Sequence, residues 1–562
     1  MSDSGKSSSR STEIRKEGNA LFLQNKSHND RLVLSLYTKS IAYAPMESEE
    51  LALAYGNRSA LWLHLQKYEL CIIDIHRALD ITKSKDLVQK LLLRQKQCLK
   101  HIPRSSKHGK KEPKVPKITP SKSVPCGSNC IEPGWNKKYG RHYVASRDIK
   151  AGTVLMCEKT SYAFVDVEHM YLVCSHCLSL AGAGIPCDYC IFTVYCSDTC
   201  KKEAWTEYHD VICALFSIDS FSLNFHRYLF QRQMQDDDNN NISFGPFMAS
   251  IRMVIIILRK EGSKTILETA QNLNKRNDEG SAELPCGQTP HCSSFEFLYR
   301  LSACRENMHE CTTGIMSKLK KAFTKTSDSF SQILPSESIS SMQNVFEKLY
   351  RIYESNSFLF SSSDCKCEDP VGGFCDRVKG CILGPCSSLF NHSCDQNVDR
   401  LFLKGPRIMF FANQPIKKGE QLFISYGPIL TMDRLSRQTM LKDHYSFTCE
   451  CGPCTENWPV VASKEVIIRA PNDIDLELTR RLGGDEQRYK FLATQIVFND
   501  KYFNTAVEML NFIYKKIDRK EAALEAQIYK LYIRRFFIHL YRENLQLHHL
   551  YDIHVMLDSR NE

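Results

Sequence analysis

Apolar positions along the chain change period several times, and each change predicts an element or a boundary. From Glu13 to about Lys100 they recur at helical spacing, as at Leu32 and Leu36 and then Ile41, or at Leu87 and Leu91 and then, two turns on, Cys98. That spacing puts them on one face of a helix. Pro45 is the only proline in this stretch and predicts a break between helix pairs. Met1–Arg10 is polar and Ser-rich, so residues 1–11 read as a disordered tail and 12–102 as a helical module. Residues 103–125 are rich in Lys, Arg, Pro and Ser, including Lys107–His108–Gly109–Lys110–Lys111, and read as an extended linker. The same basic run also suits nuclear import or an acidic partner surface. At Val144 the period shortens, and Val144–Leu155 reads as strand, turn, strand. Residues 214–355 are mostly helical again, interrupted by Asp236–Asn241 and the Ser-rich Thr326–Ser341. Residues 376–448 return to short strands, and Asp485–Glu562 reads as helix.

Composition narrows the class. The 562 residues make roughly three to five structural units. Apolar residues at 43% and charged residues at 25% exclude a mainly disordered or fibrous chain. The longest apolar run, Met253–Leu258, is far short of the ~20 residues of a spanning helix. The polar N-terminus predicts no secretory signal, so an intracellular location, cytoplasmic and nuclear, is expected. A net charge of +10 is mildly basic and permits an acidic or a nucleic-acid partner. The 25 cysteines change the picture most: in a reducing compartment, thiols at regular spacing are metal ligands before they are disulfides.

That spacing is present. Cys174-x2-Cys177, Cys187-x2-Cys190, Cys196-x3-Cys200 and His209-x3-Cys213 supply four short pairs. A tetrahedral structural zinc needs two such pairs, so two closed sites are expected, with no open position for a substrate. Iron–sulfur ligation suits the His and the even spacing less well. A further group, Cys449-x-Cys451-x2-Cys454, is one ligand short. Cys365, Cys367, Cys375, Cys381 and Cys386 have no matched pairs and read as buried thiols.

Three resemblances follow. Gly18–Phe22 with Tyr37–Ile41, and Asn57–Leu61 with Tyr68 and Asp74, lie about 38 residues apart and resemble tetratricopeptide repeats of ~34. Leu34 stands where such repeats usually carry Ala, and a plain helical bundle is the alternative. The cysteine pairs resemble the MYND finger. That resemblance implies interleaved ligands: Cys174, Cys177, Cys196 and Cys200 on one zinc, Cys187, Cys190, His209 and Cys213 on the other. It also implies proline-rich peptides as partners. Asn391–His392–Ser393–Cys394 with Gly419–Gly427 resembles the SET domain of protein-lysine methyltransferases. There the family uses the Cys of this segment, here Cys394, to complete the zinc of Cys449, Cys451 and Cys454.

The whole order resembles the SET and MYND domain-containing family, in the branch with N-terminal repeats (type 4). It implies a multidomain α+β chain: a SET β-fold with an inserted MYND finger, flanked by α-helical, tetratricopeptide-like regions. The expected boundaries are 126–173 for the first SET part, 174–213 for the finger, and 214–355 for a helical insertion. The SET core follows at 356–448, the post-SET zinc segment at 449–460, and a C-terminal helical region at 461–562.

The implied activity is methyl transfer from S-adenosylmethionine to a lysine of a histone or another protein, with three zinc ions as structural metals. Neither nucleic acid nor membrane is the expected target. A lysine with pKa near 10.4 is neutral in only about one molecule in 2,500 at pH 7, a cost of roughly 4.6 kcal/mol. Burial beside a sulfonium lowers that cost, and alignment supplies the rest. By carry-over, Tyr426 is the aligning phenol. Gly140, Arg141, Asn356, Asn391, His392, Tyr426 and Phe447 contact the cofactor, and Tyr445 lines the lysine channel. One position departs from the family, whose first motif often reads Gly-x-Gly: here it is Gly140–Arg141–His142, with His142 expected to point outward. This departure gives weight to a second reading, a silent scaffold acting through its finger and repeats. In the repeats, Arg15, Asn19, Asn57, Lys90 and Arg94 match a carboxylate clamp for acidic chaperone C-termini, heat-shock chaperones included.

Overall fold

The computed structural model of the protein describes residues 5–26, 29–102, 115–124, 126–216, 244–275, 294–303, 334, 338–361, 378–403, 405–427, 432–458, 500–516 and 526–541. Five helices open the chain: α1 (Ser8–Leu23), α2 (Asp30–Tyr43), α3 (Glu49–His64), α4 (Tyr68–Ile81) and α5 (Lys85–Leu99). Serine side chains start three of them. Ser7, Ser48 and Ser84 accept from the backbone N–H of Arg10, Leu51 and Leu87. α2 ends at Tyr43, with Ala44 as an extended cap just before Pro45. The expected tail is shorter than the sequence suggested, because Ser11 is buried and its hydroxyl donates to Ser40 O at 2.9 Å. Residues 103–114, after α5, lie outside the described ones.

One buried ion pair joins this helical region to the cysteine-rich segment. Arg58 reaches both Asp74 oxygens (2.7 and 2.8 Å), Thr38 Oγ1 (3.1 Å) and the carbonyl of Gly184 (3.0 Å). Trp62 Nε1 also donates to Asp74 (3.1 Å). With every charge paired, the cost of desolvating the two ions is offset.

The β-structure begins inside the predicted linker. Pro120 bridges to Ser128, and Val124 is buried. The strands are β1 (Ile131–Asn136), β2 (Gly140–Ala145), β3 (Val154–Lys159), β4 (Ala163–Val165), β5 (Ile185–Pro186), β6 (Val194–Tyr195), β7 (Phe358–Ser361), β8 (Val378–Ile382), β9 (Asn391–His392), β10 (Val398–Leu403), β11 (Arg407–Ala412) and β12 (Phe423–Ile424). They form small sheets: β1–β2, β10–β11–β3, β4–β8–β7, β5–β6, and a parallel pair β12–β9. The helix Phe244–Glu261 packs on β4, with Arg252 Nη1 donating to Ala163 O (2.8 Å) and Ser175 O (2.9 Å). Helices Asp500–Lys516 and Gln527–Leu540 share a second core with Leu401, Met409 and Phe411. Gly152 (φ +78°) lets Phe503 sit where a Cβ would stand. Cys365, Cys367 and Cys375, Asp236–Asn241 and residues 461–499 lie outside the described residues. Among the described residues, no helix is long and apolar enough to cross a membrane.

Candidate active site and metal clusters

Three four-residue clusters form. Cys174, Cys177, Cys196 and Cys200 converge, as do Cys187, Cys190, His209 and Cys213, and Cys394, Cys449, Cys451 and Cys454. Within each cluster the donor atoms lie within 4.8 Å of one another. All of these cysteines are free thiols. Sulfurs held tetrahedrally at a Zn–S distance of ~2.3 Å would stand roughly 3.8 Å apart. The pairs Cys177–Cys196 (3.5 Å), Cys187–Cys213 (3.8 Å), Cys394–Cys454 (3.6 Å) and Cys449–Cys451 (3.3 Å) fit that spacing. His209 turns Nε2 to Cys190 Sγ at 3.6 Å. In each cluster, neighbouring S–H donors hold one thiol far below its usual range: Cys177, Cys187 and Cys454. The thiolate is the form that ligates a soft cation.

Local structure explains the convergence. The β5–β6 hairpin carries Cys187 and Cys190 at its turn, and Ser197 caps the helix bearing Cys200. A π-turn, Trp205–His209, then points His209 and Cys213 inward. At the third cluster, the Gln438 amide both donates to Cys449 O (2.6 Å) and accepts from Cys449 N (2.9 Å). Buried Arg437 donates to Pro453 O (3.1 Å).

Beside the third cluster lies an aromatic cleft. The parallel register pairs Phe423 with Asn391 and Ile424 with His392. His392 accepts from Tyr426 N at Nδ1 (3.1 Å), so Nε2 carries the proton and faces Cys394 Sγ (3.4 Å). Burial pulls its pKa down to about 4, leaving the ring neutral. Both ring nitrogens are thus committed within the protein, which leaves the backbone of His392 as its group able to meet a ligand. The Tyr426 phenol donates to Phe390 O (2.8 Å), and the Tyr445 phenol donates to Tyr426 O (3.0 Å). The rings of His392 and Tyr445 lie 5.4 and 4.9 Å from that of Tyr426, and Phe447 closes the group at 6.3 Å.

The remaining sequence candidates form a string leading away from this group. Asn391 Nδ2 donates to Tyr139 O (3.0 Å), next to Gly140. Gly140 has φ +62° and open space where a Cβ would point, which suits close backbone approach to a ligand. The Arg141 guanidinium donates to Arg300 O, and burial beside Arg300 lowers its pKa. Asn356 Nδ2 donates to Ser302 O (2.7 Å), on the same segment. His142 is a correction: it points inward, buried over Gly134, its cross-strand partner, rather than outward.

Sequence reasoning missed Asn397 and Arg400. Fully buried Asn397 donates to Gln421 O (2.9 Å) and accepts from Phe423 N (2.7 Å), which fixes β12. Arg400 donates to Ser425 O (2.9 Å). Neither residue belongs to a local motif.

In the helical region, two of the clamp candidates, Asn19 and Asn57, meet directly. Asn57 Nδ2 and the Tyr37 phenol both donate to Asn19 Oδ1 (2.6 and 2.9 Å). Arg94 is anchored by Gly56 O (2.6 Å), Arg15 has a buried Nε without a hydrogen-bond partner among the described residues, and Lys90 is exposed.

Residues 140–427 match the SET domain family model, just over half of the chain. The protein-lysine N-methyltransferase SMYD4 of Danio rerio is 26% identical over 231 residues, covering 37% of this chain and 30% of that protein. The Mus musculus protein of the same name is 24% identical over 78% of this chain. This chain spans 66% of the mouse protein's length, just under two thirds. A SET and MYND domain-containing protein of Dictyostelium discoideum is 24% identical over 58% of this chain and 82% of its own length.

Proposed function

Because the chain belongs to the SET domain family, we propose that it is an S-adenosylmethionine-dependent protein-lysine methyltransferase acting on histone or other protein lysines. The observation that carries this reading is the junction of β9 and β12, where His392, Tyr426, Tyr445 and Phe447 gather beside the third cysteine cluster. Bound S-adenosylmethionine supplies a methyl group made electrophilic by its sulfonium. The Tyr426 phenol, its hydrogen committed to Phe390 O, offers oxygen lone pairs that orient an incoming amine. Tyr445 and Phe447 supply apolar walls that exclude water and disfavour the ammonium form. Gly140, Arg141, Asn356, Asn391 and the backbone at His392 hold the cofactor. Each cysteine cluster holds one structural zinc, three in all, and the segment 174–213 is a MYND finger open to proline-rich peptides. Buried His142 fits beside Gly134, which favours an intact cofactor loop over the scaffold reading.

The decisive experiment incubates the protein with methyl-labelled S-adenosylmethionine and cell extract, and identifies labelled lysines by mass spectrometry. Tyr426→Phe is expected to lower turnover ~100-fold with cofactor affinity unchanged. Folded protein that binds no cofactor would establish the scaffold instead.

The N-terminal helices form a tetratricopeptide-like module whose Arg15, Asn19, Asn57, Lys90 and Arg94 grip acidic C-termini of the kind heat-shock chaperones carry. The unpartnered Arg15 Nε supports an anion there. Lys90→Glu is expected to weaken capture of a peptide with an acidic C-terminus at least ~10-fold, and binding that persists rejects the clamp. Residence in both cytoplasm and nucleus accords with such partners.

A further inference from the structure

Glu158 lies on β3, buried, and has no role assigned in the cleft. One carboxylate oxygen accepts from Cys386 N (3.0 Å), and the other accepts from Ser387 N (2.8 Å) and Ser387 Oγ (2.5 Å). Gly384 makes the fit possible, since a Cβ there would overlap Glu158 Oε2. Cys126 and Cys386 stand close enough to suggest a fourth metal site with Glu158. The three hydrogens turned toward the carboxylate argue against a cation there.

These donors sit at Cys386 and Ser387, the start of the turn Ser387–Leu389, which delivers the chain to Phe390 and then β9. The turn is pinned on other sides too: the Tyr143 phenol donates to Cys386 O (3.0 Å), and Thr160 Oγ1 donates to Leu383 O (2.7 Å). At its exit, Phe390 N donates to Ser387 O (3.3 Å), and the Phe390 ring stacks on Phe410 at 4.6 Å. The carbonyl of that same residue takes the Tyr426 phenol hydrogen. We infer that Glu158 is a positioning residue: it fixes the 386–390 turn so that the Phe390 carbonyl aims the Tyr426 phenol. The link to turnover rests on the methyltransferase reading; the link to Tyr426 does not.

Glu158→Gln keeps the volume but turns one acceptor into a donor facing N–H groups that cannot rotate away. The test places 3-fluorotyrosine at position 426 and records its fluorine resonance in the Glu158 and Glu158→Gln proteins. Methyl transfer is measured in parallel, in both the Tyr426 and the Tyr426→Phe backgrounds. The resonance is expected to shift. Turnover is expected to fall ~10-fold or more with the KM for cofactor nearly unchanged, and much less in the Tyr426→Phe background. An unmoved resonance, or an equal loss in both backgrounds, overturns the inference. A shifted resonance in a protein that transfers no methyl group upholds the Glu158 contact and sinks the enzyme reading. If Glu158→Gln does not fold, Ser387→Ala removes only the hydroxyl donor. A smaller shift in the same direction is then expected, and no shift is fatal.

Discussion

The first two cysteine clusters and the third use the same chemistry at different ranges along the chain. All eight candidate ligands of the first two come from residues 174–213, brought together by the segment before β5, the β5–β6 hairpin and the helical stretch Asp198–Phe216. The third joins Cys394 to Cys454 across 60 residues. Closing the longer loop costs more chain entropy, so the third cluster needs a preformed scaffold while the first two nearly supply their own. The long-range cluster is also the one that touches the cleft: Cys394 bonds the ring of His392, and that ring bonds the backbone of Tyr426. The short-range pair instead lies on the side held by Arg58.

This contrast can be broken at three places. The largest effect is expected from Cys454→Ala, which removes a ligand beside the cleft. Methyl transfer should fall more than ~100-fold, beyond the usual cost of losing an outer-sphere partner, with one equivalent of zinc lost by metal analysis. Next is Arg58→Ala, which leaves Asp74 buried and uncompensated. Chemical denaturation should show a loss of about 3–5 kcal/mol in the N-terminal helices, with turnover of the folded fraction preserved. The smallest effect on chemistry is expected from Cys177→Ser: turnover within ~3-fold of wild type, despite a metal equivalent lost. If Cys177→Ser silences methyl transfer as fully as Cys454→Ala, the division of labour between the clusters is wrong.

Legibility followed the same divide. That residues 174–213 form two sites could be read from spacing, because a CxxC pair encodes its geometry locally, while their interleaving came through the family resemblance. Cys394 could be attached to the trio near 450 only through family resemblance, since nothing in the spacing joins them. Helices α1–α5 followed from their apolar period, but the start of α1 did not. Ser7 and Ser11 look like tail composition until one caps the helix and the other bonds Ser40. The linker reading likewise ran too far, because one apolar residue, Val124, is too weak a signal for the core it joins beside Gly127 and Ile131. Asn397, Arg400 and Glu158 were missed for one reason. A polar residue inside a strand pattern reads as solvent-facing, and only the fold reveals that its partners are main-chain groups from another segment. His142 was misjudged because its accommodation depends on a glycine eight positions earlier.

That cross-strand arrangement has a consequence for anyone reshaping the loop. A Cβ added at Gly134 would stand 3.0 Å from His142 Nε2, so the imidazole fills the volume its partner vacates. The two positions therefore obey one joint volume constraint. A library varying them singly will evict the ring or leave a hole, whereas exchanging the two residues keeps the filled space constant and is the change most compatible with a working loop.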